Sequence, residues 1–230
     1  MMSGHGARGS QDERPLGRLS ATGRVEAFSD GVMAIAITLL VLELKVPVAA
    51  GPGELLGLLL GRWPSYVAYL AAFLTIGIIW LNHHTLMTKI ARFDTRLHWL
   101  NLLLLLGVAT LPFPTALVAD YVADQSSNAS IAAAAYGLTA MLMALPWGFM
   151  WRHLRDHPEL LEPEYDAAHA SVELRRGSLG VPIYAAATLV SFVQPVAALA
   201  LYAAIAAIYA ITSQGWSAPS ASETRAKAKE

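Results

Sequence analysis

Six stretches of this chain are so apolar and so long that water is a poor solvent for them: approximately residues 25–46, 63–88, 97–119, 129–151, 178–194 and 196–213. A helix needs about 20 residues to cross the roughly 30 Å hydrocarbon layer of a bilayer. The stretches are rich in Leu and Ala and show no period-two alternation, which argues against a closed barrel. The last two are separated only by Gln194-Pro195, the punctuation of a tight helical hairpin. The expected fold is therefore an all-α integral membrane protein with six transmembrane helices. Composition agrees, with 55% hydrophobic and 14% charged residues, against about a quarter charged in soluble domains. The chain has no cysteine, so disulfides, thiolate metal sites and cysteine nucleophiles are excluded.

Charge placement sets the expected orientation. With six spans, both termini share one side with the 2–3 and 4–5 loops. Of the 16 Lys and Arg residues, 14 fall on that side, and only Lys45 and Arg62 on the other. The positive-inside rule then puts both termini in the cytoplasm. Residues 1–22 and 214–230 read as disordered cytoplasmic ends flanking a six-helix unit over 23–213. The 152–176 loop is too short for an independent domain, which rules out a separate soluble catalytic domain. The 1–2 loop, Pro47 to Gly61, contains Gly and Pro and few charges. His153 and His157 share a helical face in the 4–5 loop, yet Arg152 and Arg155 beside them oppose a cation, and both histidines read as solvated.

The first helix carries the costly groups. Arg24, Glu26 and Asp30 stand at its threshold, and no charge follows from Gly31 to Leu42. A charge in the bilayer costs roughly 2.5 kcal/mol or more, so such a cluster needs partners. Arg24, Phe28, Gly31, Ile35, Thr38, Leu42 and Lys45 recur at alternating spacings of four and three, the seam of a helix packed along an axis. Leu39 lies one turn beyond Ile35 on the same face. Glu26, Ser29 and Asp30 point to the opposite half. Apolar residues at this spacing are ordinarily packing or lipid contacts, and Asp30 is ordinarily a structural pair; a helix cap at Ser29 or Asp30 is the other local reading.

The second span ends in Trp80-Leu81-Asn82-His83-His84, and the third begins His98-Trp99-Leu100-Asn101 at the same depth. Polar groups there need partners inside the bundle. The economical solution pairs Arg24, Ser29 and Asp30 with His83 or His84, Trp80 and Asn101. Adjacent histidines on a helix point about 100° apart and make poor co-ligands, so no metal site is expected.

The Arg-x-x-x-Phe-Ser-Asp pattern of residues 24–30, with Gly31 to Leu42 after it, resembles the prokaryotic branch of the transmembrane protein 175 family, relatives of the endosomal and lysosomal potassium channel. Trp80…His83-His84, Trp99-Leu100-Asn101 and Leu111-Pro112-Phe113-Pro114-Thr115 are similar as well, and the match spans about residues 20–212. The resemblance implies a cation channel without a re-entrant filter loop, assembled as a tetramer with first helices around the symmetry axis. It implies a pore constriction at Ile35, with further apolar rings at Leu39 and Leu42, and a hydroxyl layer for potassium selectivity at Thr38. Animal members carry a serine where this chain has Ala34. Phe28, Ser29 and Asp30 belong to the family motif. The resemblance places the chain in the plasma membrane of a prokaryote, with potassium as permeant ion and no cofactor.

The residues lead to a compatible reading. The chain lacks the Thr-Val-Gly-Tyr-Gly carbonyl filter, and a pore lined by the seam face would be apolar apart from Thr38, a constriction that gates by dewetting. Six such helices enclose no aqueous channel alone, so conduction implies a homo-oligomer of cyclic symmetry. The competing reading is a proton-conducting or proton-coupled cation transporter using Asp30 with His83 and His84. An intramembrane enzyme is disfavoured, since His-Glu-x-x-His, Gly-x-Ser-x-Gly and cysteine are all missing.

Overall fold

Backbone in hydrocarbon has to satisfy its own hydrogen bonds, and the chain does so as helix almost throughout. A computed structural model describes residues 21–49, 51–122 and 126–212. The helices are α1 (Ala21–Leu39), α2 (Leu55–Gly61), α3 (Trp63–Met87), α4 (Thr95–Thr110), α5 (Pro112–Tyr121), α6 (Ser127–Asp156), α7 (Ala167–Ser178), α8 (Gly180–Ser191) and α9 (Pro195–Thr212). Among the described residues, four stretches are long and apolar enough to cross a bilayer: Thr22–Glu43, Trp63–Met87, Thr95–Tyr121 and Ser127–Asp156. The expected disordered ends lie outside the described residues, except that Ala21 and Thr22 already belong to α1.

Several boundaries differ from the sequence expectations, each for a local reason. The 97–119 stretch is two helices, because Pro112 has no N–H to continue α4 and instead opens α5. The 178–194 stretch gives only 12 helical residues in α8, about 18 Å of rise. The 1–2 loop contains α2, whose residues are all exposed. Helix α1 tightens into a 3₁₀ turn at Leu40–Glu43, so Lys45 lies beyond the helix and leaves the seam; its ammonium pairs with Asp120 at the end of α5.

Helix α6 is the hub, packing against α4, α5, α7, α8 and α9. Two glycines allow the approach. A Cβ on Gly107 would stand 2.6 Å from Met143 Cγ, and one on Gly137 would stand 2.1 Å from Thr188 Oγ1 and 2.3 Å from the Tyr202 hydroxyl. Such small residues are how membrane helices gain van der Waals contact. The Tyr202 hydroxyl donates to Thr188 Oγ1 at 3.1 Å, and the Tyr136 and Tyr202 rings stack with centroids 5.6 Å apart.

The connections after α3 and after α6 meet at one end. Ile90 and Leu161 form an antiparallel bridge, with Ala91 N–H donating to Leu160 C=O at 2.9 Å and Glu162 N–H to Lys89 C=O at 3.0 Å. Asp94 caps α4 by accepting from Leu97 N–H at 2.8 Å, and its other oxygen lies 2.6 Å from His153 Nε2. His153 is therefore buried, contrary to the solvated position expected for it; His157 is half-buried, its ring against that of His153 with centroids 4.3 Å apart. Sequence spacing could not reveal this pairing, since 59 residues separate Asp94 from His153.

Burial opposes ionisation of Asp94, but the bonds from Leu97 and His153 outweigh it and hold the carboxyl below the usual carboxylate range. A group whose folded pKa is depressed stabilises above its unfolded value and loses that contribution as pH falls through the folded one. Asp94→Ala should therefore cost about 1 kcal/mol at neutral pH, the worth of a helix cap at a partly exposed site. The gap between wild type and variant, followed by thermal unfolding in detergent, should close below about pH 4, the ordinary aspartate range.

Candidate functional site

Helix α1 shows two opposite faces. Ser29, Met33 and Ala36, with Leu40 at the start of the 3₁₀ turn, are spaced four, three and four and buried; α1 packs on α3 and α4, and the turn on α3 and α5. Arg24, Phe28, Gly31, Ile35, Thr38 and Leu42 are exposed, and so is Leu39 beside them. Ile35 is 62% and Leu42 71% exposed. The Ser29 and Asp30 positions are inside the helix, which excludes the cap reading.

A line of hydrogen bonds holds the buried face, and its directions follow from proton counting. Ser29 Oγ lies 2.8 Å from the Val25 carbonyl. A carbonyl only accepts, so the single hydroxyl proton goes there. Asn101, whose Nδ2 is 2.9 Å from Ser29 Oγ, must therefore be the donor in that pair. This turns Asn101 Oδ1 toward His83 Nε2 at 2.9 Å, and His83 must carry its proton on Nε2. Its Nδ1 has no partner among the described residues, as suits the unprotonated nitrogen of that tautomer. Ser29, His83 and Asn101 are all buried.

A second set of contacts lies at the edge of the same interface. Trp80 Nε1 donates to Asp30 Oδ1 at 2.9 Å, and His84 Nδ1 is 2.8 Å from Glu26 Oε1. The Trp80 and His84 rings stack with centroids 6.2 Å apart. The structure thus brings Ser29, Asp30, Trp80, His83, His84 and Asn101 together, with Glu26 added through His84. Arg24 and Phe28 stay exposed and take no part in these contacts. Among the described residues no group of three or more His, Asp or Glu is placed to hold a metal ion.

On the exposed face, Thr38 donates its hydroxyl proton to Ile35 C=O at 2.8 Å. What Thr38 offers outward is therefore an oxygen with lone pairs, an acceptor. Sequence periodicity located the stripe, but it held no sign of this bond.

These features define an all-helical membrane protein with one helix fixed in rotation and bare along an apolar stripe. The family model for the endosomal/lysosomal potassium channel TMEM175 matches residues 24–112. A potassium channel of Streptomyces collinus is 46% identical over 190 residues, covering 80% of this chain and 92% of that one. The crystal structure of a lysosomal potassium-selective channel TMEM175 homolog from Chamaesiphon minutus superposes with a TM-score of 0.75 at 35% identity, over 84% of this chain and 98% of that one. The endosomal/lysosomal proton channel TMEM175 of Gallus gallus is 39% identical over 113 residues, 46% of this chain and 22% of that protein. The chain belongs to the TMEM175 family, a family of channels and not of enzymes.

Removing the centre of the line should cost most. Asn101→Leu strands the His83 N–H and the Ser29 oxygen, at about 1–3 kcal/mol for each buried unsatisfied group. Trp80→Phe loses one exposed bond and should cost less than about 1.5 kcal/mol. Thermal unfolding of the two variants in detergent checks this order.

Proposed function

We propose that this chain is a potassium-permeable cation channel, conducting passively through a tetrameric pore lined by α1. Six crossings are assigned, by α1, α3, α4 with α5, α6, α8 and α9, in the plasma membrane of a prokaryote with both termini in the cytoplasm. Ile35, Leu39 and Leu42 form the constriction, and Thr38 the hydroxyl layer. The observation that carries this reading is the exposed stripe of α1, from Phe28 to Leu42, on a helix whose other face is locked by buried polar bonds. A helix merely facing lipid has no need of such rotational fixing. The potassium channel of Streptomyces collinus and the potassium-selective structure from Chamaesiphon minutus support the choice of ion.

The chemistry of the stripe suits this role. Helix α1 is continuous through Leu39, so its carbonyls are occupied within the helix and supply no filter. A cation meets methyl groups at Ile35, the Thr38 hydroxyl oxygen about 5 Å further on, and Leu42 about 12 Å from Ile35, over four residues of α-helical and three of 3₁₀ rise. Between apolar rings water withdraws readily, so the conducting state depends on ring diameter and polarity.

The Gallus gallus relative, known as a proton channel, favours protons as a second permeant species. The buried line makes a poor route for them, because it ends on the Val25 carbonyl, which accepts a bond and passes no proton onward. Flux that follows a pH gradient more strongly than a potassium gradient would favour that second reading.

Purified protein in liposomes should dissipate a potassium gradient, and flux no greater than in empty vesicles would refute the channel. Ile35→Asn should raise conductance and reduce the preference for potassium over sodium, read from bi-ionic reversal potentials in planar bilayers. Unchanged currents would remove Ile35 from the constriction.

A further inference from the structure

A groove of about 430 Å³ runs along the side of α3, walled by α6, α7, α8 and α9. Its volume lies in the range of specific ligand sites. It takes no residue from α1, so it lies away from the proposed pore. On α3 its lining runs from Thr75 to Leu86, about 17 Å at helical rise. The body is apolar, with Met143, Ile183 and Ile205 among its walls. The end beyond α3 is different. There Trp147 and Trp151 line the groove together with Lys89, Arg176 and Glu173.

The charges at that end are placed unevenly. Lys89 is only 4% exposed, and its ammonium lies 5.5 Å from the Trp151 ring and 5.6 Å from the Tyr165 ring. Glu173 is 3.7 Å from the Arg176 guanidinium, and it also acts on Lys89. Two cations against one carboxylate leave one net positive charge. Tryptophans at that depth mark the membrane interface, while the rest of the groove lies at the level of α3's apolar interior. An apolar slot in hydrocarbon, closed at its interfacial end by a net positive charge, has the chemistry of a lipid and its phosphodiester.

We propose that this groove binds one anionic phospholipid, its acyl chain along α3 and its phosphate between Lys89 and Arg176. The site depends on membrane embedding and not on conduction, so it stands or falls apart from the channel reading. The lipid fills the groove between α3 and the walls formed by α6, α7, α8 and α9.

Native mass spectrometry of the detergent-purified protein with dioleoyl phosphatidylglycerol or dioleoyl phosphatidylcholine tests this. The glycerol lipid should be retained in preference to the choline lipid. Each juxtamembrane cation is worth about 1 kcal/mol toward anionic lipid, so Arg176→Gln, at an exposed residue, should weaken retention about fivefold. Lys89→Gln should do the same, and Ala206→Phe, which narrows the groove, should weaken retention of both lipids. Equal retention of the two lipids, or no effect of Arg176→Gln in protein with wild-type melting, overturns the headgroup assignment. Displacement by soluble glycerol phosphate would show a free-anion site instead. Because the chain has no cysteine, Ile183→Cys supplies a unique thiol. A disulfide between copies through it would show that a second copy, not lipid, covers the groove.

Discussion

Ser29 has one hydroxyl proton, and its destination organises the interface between α1, α3 and α4. Because the proton goes to the Val25 carbonyl, Asn101 must present its amide nitrogen, and His83 must present an N–H. In hydrocarbon none of these groups has water to fall back on. A rotation of α1 by even one residue's worth of turn would remove Ser29 from Asn101 and leave the buried Asn101 amide without its acceptor. The helix is thus held by a rotational constraint stronger than the interchangeable packing of Met33, Ala36 and Leu40. The opposite stripe is aimed as a consequence.

The rest of the bundle is arranged so that this interface can be rigid. Gly107 and Gly137 let α6 sit close to its neighbours, and the backbone bridge between Ile90 and Leu161 ties the ends of α3 and α6. The Asp94–His153 pair then sets where α4 begins relative to α6. Helix α4 carries Asn101, so the position of the polar line depends on groups that lie outside the apolar spans.

Much of this was legible in the chain. The apolar block at 63–88 lies within a residue of α3, since nothing but its own hydropathy defines it. The polar residues of α1, Trp80, the two histidines and Asn101 could be matched by depth, because bilayer thickness converts sequence position into height. Three kinds of feature had no such ruler. The 97–119 stretch is apolar on both sides of Pro112, so hydropathy alone did not reveal the split there. The partnership of Lys45 with Asp120 and that of Asp94 with His153 join loop-side residues, where hydropathy carries no positional information. The Thr38 hydroxyl could turn outward or back upon its helix, and only the rotamer decides.

The tightening of the chain at Leu40–Glu43 has its own consequence for the bare stripe. In an α-helix, residues three apart are offset around the axis by about 60°; in a 3₁₀ turn they eclipse, and each residue climbs about 2.0 Å instead of 1.5 Å. Leu42 is thereby brought close to the line of Leu39, and stands further along the axis than an unbroken α-helix would carry it. The two leucines form one longer column of methyl groups in place of two staggered steps. A water thread passing along that column would find no sideways turn at which to gain a polar neighbour, from the Thr38 oxygen to the far end of the helix.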